Sequence, residues 1–264
     1  MTRYADDLAL AHVLADSADS ISMARFRALD LTVTAKPDLT PVSDADTAVE
    51  KAIRATLSRT RPRDGMIGEE FGHSVAAAGP SQRQWVIDPI DGTKNFVRGV
   101  PVWATLIALM EGSEVVVGLV SAPALGRRWW AAKGLGAYAG RHPSAATAIR
   151  VSGVRRLADA SFCYSSLTGW EQLEKLEAML DIMRRTWRSR AYGDFYGYML
   201  LAEGALDIMV EPELSLWDVA ALIPIVTEAG GTFTDLAGRE GPGNGSAIAT
   251  NGPLHADILD MLGS

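Results

Sequence analysis

The N-terminal half of the chain combines helical and strand-like spacing of its apolar residues. Helical spacing predicts an amphipathic helix near residues 4–29 and a second helix through the apolar positions of 49–57. Ser43 and Asp46 are candidate caps for the start of the second helix. The apolar runs that follow predict strands in GMIG, in WVI ending at Asp88, in WATLIALM paired with EVVVGLVSAP, and in RRWWAAKG.

The spacing of apolar residues changes in the second half of the chain. Strands are predicted in ASFCYS, DIMV, TFTDL and SAIAT, and helices over 169–184, over 195–206 and at the C-terminal end. The segment LWDVAALIPIVTEAGG predicts one helix that is closed by paired glycines, and Pro224 disfavours a straight path within it. These elements predict an α/β fold with two halves, 1–152 and 153–264, in one compact unit.

Composition narrows the class of protein. The chain has 264 residues, a net charge of −7 and an apolar fraction of 48%, enough for a sizeable core in one large domain or two tightly joined halves. The acidic balance excludes a nucleic-acid binder that relies on a basic face, and the single cysteine excludes an intrachain disulfide framework. Acidic residues interrupt the apolar positions of the N-terminal segment, so we expect no signal peptide, no membrane span and a cytoplasmic location.

Several suggestive features have ordinary explanations. GLGAYAG at 134–140 lacks the spacing of a dinucleotide-binding loop and opens no helix, so it predicts a hairpin turn. Cys163 is not followed by the arginine that a cysteine phosphatase needs, and we expect a buried structural cysteine. The four histidines have no zinc-like spacing, and none is assigned a role.

The segment WVIDPIDGTKNF places two carboxylates three residues apart, directly after a strand-like run. An ordinary turn needs only one aspartate and a glycine. Asp88 and Asp91 bracket a proline that stiffens the turn and leaves the carbonyl oxygen of Ile90 available as a ligand. Because carboxylates this close repel each other unless a cation lies between them, the segment predicts a site for a hard cation.

The residues that follow the two aspartates suit an anion. Gly92 lets the backbone come close to a ligand, and Thr93 is expected at the first turn of a helix. The N–H groups and the dipole at a helix N-terminus favour phosphate. The segment therefore predicts a bound phosphate beside the cation.

Carboxylates also stand at the ends of other predicted elements. Asp44 follows a polar loop, Glu69 and Glu70 follow GMIG, and Asp218 opens the LWDVAAL helix. Each of them alone is explained by a helix cap or a turn, and Asp218 alone would complement the helix dipole. Together with the pair in WVIDPIDGTKNF they form the kind of oxygen-ligand set that Mg²⁺ prefers.

Three blocks of the chain, GEE, WVIDPIDGTKNFVRGVP and LWDVAALIPIVTEAGG, resemble the inositol monophosphatase family of magnesium-dependent phosphatases. The resemblance covers nearly the whole chain and implies a layered αβαβα sandwich of the sugar-phosphatase type. Within the family, FRALDLTVTAKPDLTPVSDAD, DGTKNFVRGVPVWA and RAYGDFYGY look closest to the actinobacterial histidinol-phosphate phosphatases.

The resemblance also implies roles for individual residues. Two or three Mg²⁺ ions per subunit would be held by Glu69, Asp88, the Ile90 carbonyl, Asp91, Asp218 and Asp44. Gly92 and Thr93 would contact the phosphate. Glu69 and Thr93 would aim a water molecule at phosphorus, with Asp44 orienting Thr93, and no covalent phosphoenzyme would form. A homodimer is implied as well.

The substrate side is expected near Glu211 and the segment RAYGDF, which begins at Arg190. Asp194 within that segment occupies a position where inositol-specific members carry a small neutral residue. Carboxylates at 194 and 211 would suit the ammonium group of histidinol phosphate, because charge-assisted hydrogen bonds are strong. The alternative is that Asp194 is a solvated turn residue.

The expected reaction is hydrolysis of a small-molecule phosphomonoester, most specifically histidinol phosphate in histidine biosynthesis. Two alternatives remain at this stage. One is an inositol-1-phosphate or sugar phosphatase with the same site, and the other is a non-catalytic metal-binding protein of the same fold. The complete set of carboxylates favours an enzyme over the second alternative.

Overall fold

The computed structural model describes residues 3–37, 39–74 and 82–263. Its helices are α1 Ala5–Arg25, α2 Asp44–Thr60, α3 Thr93–Val97, α4 Thr168–Gln172, α5 Leu176–Arg185, α6 Asp194–Ala202, α7 Leu216–Ala220, α8 Leu222–Glu228 and α9 His255–Gly263. In the described part of the chain, no helix is both long enough and apolar enough to cross a membrane.

The strands form two large sheets and one hairpin. Their bounds are β1 Val33–Ala35, β2 Pro41–Ser43, β3 Gly65–Gly68, β4 Gly72–Ser74, β5 Arg83–Asp91, β6 Ala104–Glu111, β7 Glu114–Ala122, β8 Arg127–Ala132, β9 Ala137–Gly140, β10 Thr147–Ala148, β11 Ser161–Tyr164, β12 Arg188–Arg190, β13 Ile208–Glu211, β14 Thr232–Thr234 and β15 Ala247–Thr250. The first sheet has the order β10-β9-β8-β7-β6-β5-β3-β4, and the second has the order β12-β11-β13-β15-β14. Among the described residues, strands β1 and β2 pair only with each other.

Apolar side chains on both faces of each sheet build five layers. Helices α1 and α2 pack on one face of the first sheet, and α6, α7 and α8 fill the space between the two sheets. Helices α4, α5 and α9 cover the outer face of the second sheet. The predicted α/β class is confirmed in this αβαβα order. The boundary expected near residue 152 falls between the two sheets, and the division into halves stays a prediction.

Most of the predicted elements are present with shifted ends. The first helix ends at Arg25 rather than near residue 29, because Phe26 takes an extended backbone conformation. The helix predicted over 169–184 is divided into α4 and α5, and Glu174 in the turn between them has a positive φ of 57°. The turn predicted in GLGAYAG joins the antiparallel pair β8 and β9, and Cys163 is buried as expected.

The helix predicted in LWDVAALIPIVTEAGG is two helices, α7 and α8, which meet at Ala221. Pro224 explains the break, since it has no N–H to donate to the carbonyl four residues earlier. The break packs against Gly118 of β7, where an added Cβ would lie 2.2 Å from the Ala221 carbonyl oxygen and 2.6 Å from Pro224 Cγ. Glycine at position 118 therefore allows the helix pair to approach the first sheet closely.

We expect Gly118→Ala to lower the free energy of unfolding by about 1–3 kcal/mol, the usual cost of overpacking a core. The added methyl group meets backbone and a proline ring, which cannot move aside as a flexible side chain can. Urea-induced unfolding followed by circular dichroism measures the change. Gly153→Ala is the matched control, because a Cβ at 153 has no neighbour within 4 Å in the described part of the chain. Equal stability of the Gly118 and Gly153 variants would contradict this packing.

Candidate active site

Strand β5 carries an extra residue at the point where its two aspartates stand. It continues to Asp91 instead of ending at Asp88. Asp88 is paired with Leu106 and Asp91 with Ala104, so three steps along β5 match two steps along β6. Residues three apart face opposite sides of a regular strand, and a bulge of one residue removes this alternation. Both carboxylates therefore face the same cavity.

Helix α7 brings a third carboxylate to this pair. Asp218 lies in its first turn, where Oδ2 accepts a hydrogen bond from the Ser215 backbone N–H at 2.7 Å. One carboxylate oxygen from each of Asp88, Asp91 and Asp218 lies within 4.8 Å of the others. Asp218 is thus both the expected first-turn acid and a member of the cluster, which reconciles its two sequence interpretations.

The cluster has the properties of a cation site. Asp88 Oδ1 is buried and has no hydrogen-bond partner among the described residues. Burial, followed by the charges of neighbouring carboxylates, raises the pKa of Asp88 and Asp91 well above the usual range. Burial also raises the pKa of Asp218 to about 6. Closely spaced carboxylates, of which Asp88 is buried with an unused oxygen and Asp91 and Asp218 are partly buried, fit a hard divalent cation, whose positive charge would offset their repulsion.

Glu69 approaches the cluster from the turn after β3. Its backbone N–H donates to the Ile87 carbonyl at 3.2 Å, and burial raises the pKa of its side chain. The side chain of Lys36, from the β1–β2 hairpin, donates to Glu69 Oε1 and Glu70 Oε1, both at 2.7 Å. Sequence reasoning missed Lys36, because a lysine in a polar loop carries no signal of its distant partners.

Gly92 and Thr93 stand at the start of α3, as predicted. Gly92 is the N-cap with a φ of 82°, a left-handed conformation that glycine adopts without strain. An added Cβ there would lie 3.1 Å from the Val102 carbonyl oxygen and 3.3 Å from Asp194 Oδ2. Both the backbone conformation and the crowding therefore require glycine.

The predicted role of Asp44 beside Thr93 is wrong in this structure. Thr93 Oγ1 lies 3.2 Å from Asp46 Oδ1 and 2.9 Å from the Ile90 carbonyl oxygen. Asp44 instead accepts two hydrogen bonds from the Arg25 guanidinium, at 3.2 and 2.8 Å, on the outer side of α2. Two residues along a helix turn through about 200°, so Asp44 and Asp46 point in opposite directions.

Asp46 was predicted only as a possible cap, and it does take part in one. Ser43 caps α2 with its side chain, and Asp46 Oδ2 accepts from the Ser43 N–H at 2.9 Å and from Ser43 Oγ at 2.5 Å. This leaves Oδ1 directed at Thr93. Burial raises the pKa of the Asp46 carboxyl, while its bonds to Ser43 lower it.

Glu211 ends β13 with its side chain buried in the same cavity. Its two oxygens accept hydrogen bonds from Ser165 Oγ and from Tyr198 Oη, the latter at 2.7 Å. Burial raises the pKa of Glu211 to about 8 despite these two donors. Neither Ser165 nor Tyr198 was predicted, since hydroxyl groups are too common in a sequence to mark a site.

Asp194 begins α6 in an unusual conformation, with a φ of 47°. Its Oδ2 accepts a hydrogen bond from Asn95 Nδ2 at 3.1 Å, and burial raises the pKa of the carboxyl. The next residue, Phe195, donates its backbone N–H to Asp91 Oδ2 at 2.7 Å. The start of α6 is therefore bonded directly to the carboxylate cluster, and Asp194 is not a solvated turn residue.

These side chains share one cavity of about 510 Å³. The predicted residues that line it are Glu69, Asp88, Ile90, Asp91, Gly92, Thr93, Asp194, Glu211 and Asp218. Arg190 is not among the described residues that line the cavity, so it does not occupy its predicted place on the substrate side. Arg190 ends the edge strand β12 with an exposed side chain that donates to the Ser189 carbonyl. Asp44 also lies outside the lining.

The chain is similar to known proteins over almost its whole length. A model of the inositol monophosphatase family matches residues 6–262. A histidinol-phosphatase from Streptomyces coelicolor is 63% identical over 99% of this chain and 98% of its own. A histidinol-phosphatase from Mycobacterium tuberculosis is 56% identical over 97% and 98% of the two chains.

A solved structure shows the same architecture. An inositol monophosphatase from Zymomonas mobilis superposes with a TM-score of 0.86 at 35% identity and covers 99% of both chains. Since the family model and these relatives extend over almost the entire sequence, the chain belongs to the inositol monophosphatase family.

Proposed function

We propose that the chain is a magnesium-dependent phosphomonoesterase that hydrolyses L-histidinol phosphate to L-histidinol and inorganic phosphate, a step of histidine biosynthesis. The observation that carries the proposal is a single cavity that holds the Asp88, Asp91 and Asp218 cluster together with two more carboxylates, Asp194 and Glu211. The two relatives named histidinol-phosphatase support the choice of substrate.

The residues proposed to hold Mg²⁺ all line the cavity: Glu69, Asp88, Ile90 through its carbonyl oxygen, Asp91 and Asp218. The oxygens of Asp88, Asp91 and Asp218 converge within 4.8 Å of one another. Bound Mg²⁺ supplies Lewis-acid activation of water and neutralises charge on the phosphate and the leaving oxygen. Occupancy by two or three ions stays part of the proposal. Asp44 is removed from the set because it is paired with Arg25.

Thr93 and Asp46 are the groups proposed to orient the attacking water. The Thr93 hydroxyl has one hydrogen and two acceptors within reach, the Ile90 carbonyl at 2.9 Å and Asp46 Oδ1 at 3.2 Å. When it donates to Asp46, its own lone pairs can accept a hydrogen bond from water. A proton from that water can then pass through Thr93 Oγ1 to Asp46 Oδ1, with Glu69 as a second acceptor. The backbone at Gly92 and Thr93 is the proposed contact for the phosphate.

The choice of substrate is proposed to depend mainly on Asp194. Glu211 already accepts hydrogen bonds from two hydroxyl groups, whereas Asp194 accepts one from Asn95 on Oδ2 among the described residues. An ammonium group of the substrate would complete the shell of Asp194 and offset the negative potential of the partly buried Asp194 and the buried Glu211. An uncharged polyol would leave that potential in place.

A homodimer and a cytoplasmic location complete the proposal. Trp187 and Tyr192 expose 67% and 39% of their surface beside β12. Large exposed aromatic side chains of this kind suit a contact with a second copy of the chain.

The direct test of function is phosphate release from a panel of phosphomonoesters. With Mg²⁺ present, we expect faster turnover of histidinol phosphate than of inositol 1-phosphate or a sugar phosphate, and none after treatment with EDTA. Asp88→Asn should lower kcat by roughly a hundredfold or more, because ion binding contributes several kcal/mol to the barrier reduction. Similar rates on all substrates would favour a general sugar phosphatase, and no turnover at all would indicate a non-catalytic homologue.

The corrected role of Asp46 is tested by comparing it with Asp44. Asp46→Asn should lower kcat by about 10²–10⁴-fold, the usual contribution of a positioned acid or base. Asp44→Asn should change kcat less than about threefold, because Asp44 lies outside the cavity lining and makes a partly exposed, weak ion pair with Arg25. Steady-state kinetics of both variants decides between the two residues. Equal losses of kcat in the two variants would indicate that Asp44 also belongs to the active site.

The substrate contact is tested by Asp194→Asn, which keeps the shape of the side chain and removes its charge. We expect kcat/KM for histidinol phosphate to fall about ten- to a hundredfold, the loss of one charge-assisted hydrogen bond. Activity on a small phosphomonoester whose alcohol part is uncharged should stay nearly constant, since the proposed cation and phosphate contacts remain. In Glu211→Gln the loss of kcat/KM should differ less between the two substrates, because Ser165 and Tyr198 already occupy the oxygens of Glu211. Parallel losses on both substrates would instead indicate damage to the cation site.

A further inference from the structure

Glu50 of α2 is a fully buried carboxylate that does not line the cavity. Its Oε2 accepts the backbone N–H of Glu70 at 2.8 Å, and its Oε1 accepts the backbone N–H of Phe71 at 3.2 Å. These two consecutive N–H groups belong to the turn that follows β3. The same turn carries Glu69, so Glu50 is bonded to the backbone on which a proposed cation ligand stands.

The contact depends on a glycine at the end of β3. A Cβ added at Gly68 would lie 2.1 Å from Glu50 Oε1 and 2.3 Å from Glu50 Cδ. No side chain at position 68 is compatible with the observed place of the carboxylate. The backbone at 68 and the carboxylate of α2 are therefore in direct contact, immediately before Glu69.

Arg54, one helical turn further along α2, makes the buried charge of Glu50 tolerable. Its Nε donates to Glu50 Oε1 at 2.7 Å, its Nη1 donates to Ser74 Oγ at 3.0 Å, and its Nη2 donates to the Gly72 carbonyl. A buried carboxylate with a guanidinium partner and two amide donors has its hydrogen bonds satisfied. Glu50 and Arg54 together fasten the whole β3–β4 hairpin to α2.

We propose that Glu50 is a positioning residue that holds the turn at residues 69–71 so that the Glu69 carboxylate points toward the cation. This inference rests on the proposed function, in which Glu69 is a Mg²⁺ ligand. A partner that orients a ligating group typically changes metal affinity by about 10–100-fold when it is replaced. Glu50 performs this task through the main chain, from a helix that contributes Asp46 to the same site.

The test is a titration of the metal-free protein with Mg²⁺. Calorimetry measures the affinity, and the rise in melting temperature measures it independently. We expect Glu50→Gln to weaken Mg²⁺ binding about 10–100-fold, since the amide nitrogen that replaces one oxygen cannot accept a hydrogen bond and one of the two turn N–H groups loses its acceptor. Glu50→Asp restores the charge and should recover part of the affinity. It also serves as the second variant if Glu50→Gln does not fold.

Glu228→Gln is the matched control. Glu228 also stands on a helix and accepts two backbone N–H groups of a turn, from Gly134 and Gly136, both at 2.8 Å. Its turn joins β8 and β9, and Glu228 is not among the described residues that line the cavity. The Glu228 variant should lose thermal stability and keep the Mg²⁺ affinity of the wild type.

A double-mutant cycle with Glu69→Gln separates a positioning role from general destabilisation. If Glu50 acts through Glu69, Glu50→Gln should change Mg²⁺ affinity far less in the Glu69→Gln background than in the wild type. Wild-type Mg²⁺ affinity in Glu50→Gln, or an equal loss in both backgrounds, would overturn the inference. Failure of the wild type itself to bind Mg²⁺ would instead reject the proposed function.

Discussion

Repulsion among closely spaced, buried and partly buried carboxylates is the constraint around which this molecule is organised. Asp88, Asp91 and Asp218 bring oxygens within 4.8 Å of one another in a cavity where burial strengthens every electrostatic interaction. Such a group is unfavourable for folding unless positive charge or hydrogen-bond donors surround it. The neighbouring elements provide those donors, and a cation would provide the charge.

The donors come from several layers of the fold. The Phe195 N–H at the start of α6 bonds Asp91, and the Ser215 N–H before α7 bonds Asp218. The Lys36 side chain reaches Glu69 from the β1–β2 hairpin. The first bond ties α6 to the end of β5, the second closes the start of α7 itself, and the third ties the β1–β2 hairpin to the turn after β3. The same contacts that stabilise the charges therefore also fix the relative positions of the elements around the cavity.

The sequence predicted the chemistry of the site better than its geometry. Asp88, Asp91, Asp218 and Glu69 were recognisable because carboxylates at the ends of elements are few and their type suits cations. The helical spacing of Val49, Ile53 and Leu57 places position 46 on the inward face of α2, but the assignment from the family resemblance chose Asp44. Asp46, which was interpreted as a cap, contacts Thr93. Asp44, which the family resemblance assigned to that role, pairs with Arg25 instead.

Partners that are distant in the sequence were also out of reach. Lys36, Tyr198 and Glu50 matter through contacts that only the folded chain creates, and nothing in their local sequence marks them. The α/β class was predictable because apolar runs and turns repeat along the chain. The break between α7 and α8 was predictable only in part, since Pro224 indicates an irregular helix but not that the segment forms two helices.

The extra residue in β5 has a consequence for the transfer of this site to other proteins. The spacing of three between Asp88 and Asp91 works only because one strand has a residue that its partner lacks. On an unbulged scaffold, a designer who copied the motif letter by letter would place the two carboxylates on opposite faces of the sheet. A graft onto such a strand needs carboxylates two residues apart, or it must import the irregular backbone together with the side chains.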